Sequence, residues 1–190
     1  MKKIPVFPLP VILFPDAYLP LQIFELRYRR MVKQCLQDNS GFVVVQSIEN
    51  STKDEPGFFS LGCYGEILDW HPLPNEMIGI ELKGIQKARI DNHAIEQDGL
   101  IIGEVELLAD ENHALISHRY EYLVQLLKNI QDHPLIAALP FTIDYNDATD
   151  VSFRLAEYLP FTPEEKQLML EMDNAVTRLE MIISILRELP

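Results

Sequence analysis

The sequence predicts an α+β chain, with a small, curled antiparallel β-sheet or pseudo-barrel first and helices second. Three observations carry this. Up to about residue 111 the apolar residues fall in short runs bounded by Gly, Pro, Asn and Asp, such as FVVVQS, GCYGEIL and IIGEVEL. Beyond it they recur at three- and four-residue steps, the pattern of helices with one buried face. At 47% hydrophobic over 190 residues the chain can build a sizeable core, whereas two cysteines cannot make a disulfide framework. The reading places a β-rich part at 1–111, with one inserted helix at about 22–37, and a helical part at 112–190.

Residues 4–14 are rich in Ile, Val, Phe and Leu, but prolines at 5, 8 and 10 remove backbone donors. The segment is therefore expected at a sheet edge rather than in the middle. Pro15-Asp16 marks a turn and residues 19–21 a second extended piece. The helix at 22–37 sets Phe24, Tyr28, Met31, Val32 and Cys35 near one face, and Asp38-Asn39-Ser40-Gly41 stops it. Residues 42–47 form a β-branched strand, and 49–57 a polar loop. Residues 58–68 hold a strand with Gly62 and Gly65, positions suited to a bulge or to close approach of another backbone. Separate strands are expected at 77–82 and 86–90, on either side of Lys83-Gly84, and another at 100–107.

In the helical part, Asn112 is the expected cap of a helix carrying Leu115, Tyr122, Leu123, Leu126, Leu127 and Ile130. His133-Pro134 interrupts it. A short helical turn is expected at 134–139 and a connector at 140–150, with Asp150 capping VSFRLAEYL. Thr162-Pro163-Glu164-Glu165 is a capping box with proline at the first helical position. Asp173 is the expected cap of the last helix, with Val176, Leu179, Ile183 and Leu186 on one face. That face can complete an intramolecular bundle or receive a partner, so the oligomeric state stays open.

The chain carries 29 acidic against 16 basic residues, a net charge of −13. Such a field disfavours DNA and RNA, whose binding rests on phosphate neutralisation. The apolar start MKKIPVFPLPVILF is broken by proline and lacks a cleavage pattern, and no run of 18 apolar residues occurs. The expectation is a soluble cytoplasmic protein that does not enter a membrane. Cys35 and Cys63 read as buried free thiols. No G-x-S-x-G frame surrounds Ser60, no H-E-x-x-H frame holds His71, His93, His113, His118 or His133, and no Walker loop is present. The acidic pairs Asp54-Glu55, Asp110-Glu111 and Glu164-Glu165 are adjacent residues, which read as solvated or capping groups. No catalytic residue, cofactor or metal is expected.

Two groups stand out as candidate contact residues. Phe58, Phe59, Trp70, Leu73 and Met77 flank loops of the sheet part; they either complete the core or anchor apolar side chains of a bound peptide. An open strand edge offers the same ligand backbone pairing. Arg27, Arg29 and Arg30 form the dense basic cluster. They either pin an anion or acidic segment, or pair structurally with Glu25 and with acids of the helical part.

The opening resembles the N-terminal, substrate-binding domain of Lon proteases. The match is carried by Phe7-Pro8-Leu9, Leu13-Phe14-Pro15, Leu19-Pro20-Leu21, Ile23-Phe24-Glu25, Arg27-Tyr28 and Met31. It continues through Gly62-Cys63-Tyr64-Gly65-Glu66-Ile67 and Gly84-Ile85-Gln86-Lys87-Ala88-Arg89-Ile90. It closes on Leu155-Ala156-Glu157, Leu159-Pro160, Lys166-Gln167, Leu170-Glu171 and Arg178-Leu179-Glu180. The sequence departs from the family pattern at 69–76, DWHPLPNE, and at Gln86-Lys87. The resemblance implies a PUA-like fold and a stand-alone module without the family's ATPase and protease parts. It implies a non-enzymatic, ATP-independent binder of unfolded or extended polypeptide segments or of a protein partner, accessory to protein quality control. An RNA-binding PUA-like module and a small hydrolase with an unrecognised site are the alternatives.

Overall fold

The computed structural model describes residues 1–48, 57–133, 136 and 142–188. The expected polar loop at 49–57 and the helical turn at 134–139 lie outside them, apart from Gly57 and Ile136. The chain divides into two compact units, Met1–Ala109 and Asp110–Pro190.

Among the described residues, six strands and one helix build the first unit: β1 (Lys2–Leu9), β2 (Tyr18–Ile23), α1 (Leu26–Asp38), β3 (Phe42–Gln46), β4 (Leu61–Pro72), β5 (Ile78–Ile95) and β6 (Ile101–Leu107). The strand order is β2-β5-β4-β3-β1-β6, and β6 pairs back onto β5. This closes a ring of β5, β4, β3, β1 and β6, with β2 added to the first part of β5. The sheet is mixed rather than wholly antiparallel, because β1 pairs with β3 in parallel, Val6 opposite Val43. The β2–α1 segment makes the crossover that a parallel pair needs.

β5 is one long strand where two were expected. Bulges let it turn the corner: Ile85 and Asp91 are each the extra residue at a register shift on β5, and Leu68 is the extra residue on β4. A bulge bends its strand and adds twist, so β5 serves β2 and β4 with its first part and β6 with its last. The expected edge position of the first segment is also corrected, since β1 lies between β3 and β6. Alternate residues of a strand direct their N–H groups to opposite neighbours. The Leu9 carbonyl accepts from Ser47, so Pro5 turns its nitrogen toward β3 and Pro8 toward β6, each outside the stretch that pairs there, Val6–Leu9 with β3 and Lys2–Val6 with β6, and both ladders stay continuous.

The barrel interior holds Ile4, Val6, Val43, Val45, Ala88, Ile90, Ile101 and Val105. α1 covers the outer face of β1 and β3. Tyr28 on α1 stacks against Phe7 with ring centroids 4.0 Å apart, and Phe7 meets Phe42 at 5.9 Å. Two covered faces explain why β3 is buried at every position instead of alternating. Each fully buried aliphatic or aromatic side chain here contributes about 1.5–3 kcal/mol. α1 starts at Leu26, four residues later than expected, because Gln22 and Ile23 pair with β5. Phe24 consequently lies outside the helix and exposed. Tyr28, Met31, Val32 and Cys35 form the buried stripe, and Asn39 ends the helix at φ 49°.

Gly84 shows how tightly the corner is built. Its amide donates to the Ala17 carbonyl and its carbonyl accepts from Asp16, both at 2.9 Å. A Cβ there would stand 2.1 Å from the Phe14 oxygen.

The second unit holds a short 3₁₀ turn (His118–Tyr120), α2 (Glu121–Gln131), α3 (Ala148–Tyr158), α4 (Pro163–Glu171) and α5 (Ala175–Glu188). Leu123, Leu127, Val151, Leu155, Met169, Leu170, Leu179 and Ile182 fill its core. The expected Asn112 cap is not used: regular structure begins at His118, and Leu115 is exposed. Two other caps shift by a few residues. Asp147 rather than Asp150 caps α3, accepting from the Thr149 amide, and Asn174 rather than Asp173 accepts from the Thr177 amide. Val176 is exposed, not on the buried face of α5. The capping box of α4 forms as read, with Thr162 and Glu165 bonding each other's amides.

Candidate functional site

One end of the β2–β5–β4 ribbon carries four of the exposed large apolar side chains of the sheet unit, Phe24, Leu26, Leu68 and Trp70. Ile80 sits between Leu21 of β2 and Trp70 of β4, and Ile78 sits between Ile23 and Pro72. The chain leaves β2 at Ile23 into Phe24 and Leu26, which are 68% and 77% exposed. On β4, Leu68 and Trp70 are 52% and 53% exposed. A two-residue turn joins β4 to β5: Asn75 and Glu76 both have positive φ, and the Met77 amide donates to the Pro74 carbonyl. That is type I′ geometry, whose twist matches that of a hairpin. Leu73 and Met77 flank the turn, half-buried, with the Leu73 amide donating to the Met77 carbonyl at 2.9 Å. Arg29 of α1 holds Glu76 in the turn at 3.0 Å.

The five aromatic and apolar candidates do not come together. Trp70, Leu73 and Met77 share the turn end. Phe58 and Phe59 precede the far end of β4; from Leu61 to Trp70 alone is roughly 30 Å of extended chain. Phe58 packs against the barrel core and lies 5.1 Å from the His93 ring, and Phe59 hydrogen-bonds Gln46 through its amide. Phe24, Leu26 and Leu68 belong to the exposed end and were not singled out in the sequence. The spacing of apolar residues in the sequence puts Phe24 on the buried face of a helix, and a bulge at Leu68 has no single-residue signature.

The three arginines of α1 are engaged by acids of their own unit, not of the helical unit. Arg27 pairs with Glu25 at 3.0 Å and donates to the Gly99 carbonyl at 2.8 Å. Arg30 grips Glu96 and Asp98 of the β5–β6 turn. The Arg30 hydrogen bond holds the Asp98 carboxyl below the usual carboxylate range, and the two acids push the guanidinium up. These groups clamp the helix to two hairpin turns.

Sequence reasoning also missed two buried cations in the helical unit. Arg178 donates to the Met169 carbonyl at 2.9 Å, to the Met172 carbonyl at 3.2 Å, to Ser152 Oγ at 2.8 Å and to Glu111. Its guanidinium stacks on Phe153 at 3.8 Å. Arg154 binds Glu157 and lies 3.6 Å from Asp150. Burial pushes the Glu157 carboxyl up against the pull of Arg154 and Lys166, and pushes Lys166 down. These groups join helices. Both cysteines are free and buried, and burial raises the Cys63 thiol to about 12, which keeps it protonated. Among the described residues, no three His, Cys, Asp or Glu side chains stand where a metal ion could be held, and no helix is long and apolar enough to cross a membrane.

Comparison with known proteins places this geometry. A family model described as the ATP-dependent protease La (LON) substrate-binding domain matches residues 3–188. The Lon protease of Buchnera aphidicola subsp. Schizaphis graminum is 28% identical over 198 residues, covering 97% of this chain and 25% of the relative. The Lon protease of Escherichia coli strain K12 is 27% identical, covering 97% and 24%. The chain thus spans about a quarter of the length of the curated relatives it matches. A Lon N-terminal domain protein from Xanthomonas campestris superposes with a TM-score of 0.81 at 24% identity, over 97% of this chain and 98% of that one. The N-terminal domain of the Mycobacterium avium complex Lon protease gives 0.67 at 17% identity, over 96% and 97%. At these identities the two structures speak to the α+β fold alone.

Proposed function

Because the chain belongs to the Lon substrate-binding domain family, we propose that it binds unfolded or extended polypeptide segments at the turn end of the β2–β5–β4 ribbon. It does so without chemistry of its own, as an accessory to protein quality control. The observation that carries this reading is that Phe24, Leu26, Leu68 and Trp70, four large apolar side chains each more than half exposed, lie on the β2–α1 connection, the start of α1 and the last part of β4, segments that the strand register brings to one end. Scattered exposed apolar residues are ordinary, but a group at one place marks an interaction surface. Unfolded chains expose the complementary apolar side chains that folded proteins hide. The RNA alternative is less favoured, since three cations of the cluster it needs, Arg27, Arg29 and Arg30 beside Lys33, pair with Glu25, Glu76, Glu96 and Asp98.

Trp70 is the single tryptophan of the chain, so its emission reports on this surface directly. Titration with a reduced, carboxymethylated, tryptophan-free protein is expected to shift that emission to the blue and saturate, while the native form of the same protein leaves it unchanged. A Phe24→Ser, Trp70→Ser variant is expected to bind labelled unfolded protein about tenfold more weakly or worse, because aromatic anchors dominate interfaces. Both residues are exposed, so the fold should survive. An emission that does not respond, or a variant that binds as well as the parent, would sink the proposal.

A further inference from the structure

β4 runs from Leu61 to Pro72, but β3 accompanies it only as far as Phe42 opposite Gly65. Among the described residues, 66–72 pair with β5 on one side and with no strand on the other. Seven residues make roughly 23 Å of strand, and all but Ile67 are exposed. The Trp70 amide bonds the side chain of its own neighbour Asp69 at 2.8 Å rather than a β5 carbonyl, so it faces the open side. Natural edges are usually blunted by proline, charged side chains, bulges or a covering loop. This one carries Glu66, Asp69, a bulge at Leu68 and proline at its end, yet it still exposes Leu68 and Trp70 along its length.

The edge also has an unmet electrostatic demand. Asp69 stands directly opposite Glu81 on β5. Like charges at facing strand positions repel, and neither carboxylate makes an ion pair among the described residues. A cation delivered beside Asp69 from the open side would relieve that repulsion, and the net charge of −13 draws such a ligand in.

We propose that the 66–72 edge of β4 takes up an extended polypeptide segment as an added strand, and that it selects segments alternating basic with large apolar residues. The alternation follows from the pleat. Asp69 and Trp70 are neighbours and project to opposite faces, so the added strand must present a cation on one face and an apolar side chain on the other at successive positions. This deepens the proposed function and rests on it for the statement that this end binds polypeptide.

The test uses the full chain and fluorescein-labelled ten-residue peptides read by anisotropy. An alternating Lys–Val peptide is expected to bind, and an alternating Glu–Val peptide about tenfold more weakly at low salt, with the gap narrowing at 0.5 M salt. Two N-methylated Lys–Val peptides separate strand addition from loose apolar contact. Methylating one alternate set of amides should cost about tenfold or more and methylating the other set little, because an edge bonds only every second amide. Asp69→Lys should reverse the Lys-over-Glu preference, and Asp69→Asn, which keeps an acceptor for the Trp70 amide, should reduce it. Equal binding of both methylated peptides overturns the proposal, as does a preference unchanged by Asp69→Lys. If those results come with an intact response of Trp70 to unfolded protein, the edge is wrong and the apolar site stands; without that response both fall. Self-association that Asp69→Lys abolishes would make a second copy the occupant and overturn the proposal as well.

Discussion

In the sheet unit Arg27, Arg29 and Arg30 lie along one helix and reach acids in neighbouring turns, whereas in the helical unit Arg154 and Arg178 are 2% and 0% exposed, inside the core. The difference follows from where each unit leaves backbone groups unpaired. A closed ring of strands satisfies its amides and carbonyls within the ladder, so aliphatic side chains can fill its interior. Short helices each leave carbonyls free at their last turn. Arg178 answers that need: its bonds to the Met169 and Met172 carbonyls cap the end of α4, and its charge complements the negative end of that helix. The Glu111 carboxylate then balances the cation. The lesson is that buried charge here substitutes for backbone pairing that the architecture cannot supply.

The sharpest way to break this comparison is Arg178→Ala. It removes the cation that the buried Glu111 carboxylate and two carbonyls bind, and is expected to cost about 3–5 kcal/mol, as removal of one partner of a buried pair does. The urea midpoint by far-UV circular dichroism should fall well below that of Trp70 emission, which reports the sheet unit. Arg178→Met together with Glu111→Leu should recover part of the loss, because the buried carboxylate is gone as well. Coincident midpoints in the single variant would mean that the two units unfold as one.

The mirror experiment is Gly84→Ala. The added Cβ would meet the Phe14 oxygen at 2.1 Å, so a crossing backbone must move. A cost of about 2–3 kcal/mol is expected from overpacking of this kind, and here the Trp70 transition should move first. An unchanged Trp70 midpoint would show that the corner is looser than its hydrogen bonds imply.

The smallest expected effect refines the helical side of the contrast. Asp147 caps α3 and also binds His113, whose pKa is raised by that hydrogen bond and by the carboxylate charge. A raised folded-state pKa means stability that is present in full below the unfolded value near 6.5 and lost as pH rises through the folded value. His113→Ala should therefore lower the urea midpoint slightly at pH 5.5 and leave it unchanged at pH 9. A deficit that persists at pH 9 would assign His113 a packing role instead.

Much of the architecture was legible because its signals are local. The β-branched run at 42–47, the stop after Asp38 and the capping box at Thr162 each depend on neighbours in sequence, and each appears where read. Errors arose where a distant partner decided. Pro5 and Pro8 argued for an edge, but strand parity let β1 sit in the middle. Lys83-Gly84 suggested a break, but the bulge at Ile85 carried β5 through it. Of the candidate site, Trp70, Leu73 and Met77 were legible as loop-flanking apolar residues. Phe24 was not, because pairing of Gln22 and Ile23 with β5 moved the helix start past it.

The sequence by itself determined the α+β class, the Lon-type family signature of its opening, the net charge and most strand and helix segments, since these rest on composition and on periodicity over a few residues. The tertiary structure decided the closure of the ring, the central place of β1, the burial of Arg154 and Arg178, and the exposure of Phe24, Leu26, Leu68 and Trp70. Each of these depends on register between segments far apart in the chain. A shift of one residue would turn every side chain of a strand to the other face, and no local pattern carries that information.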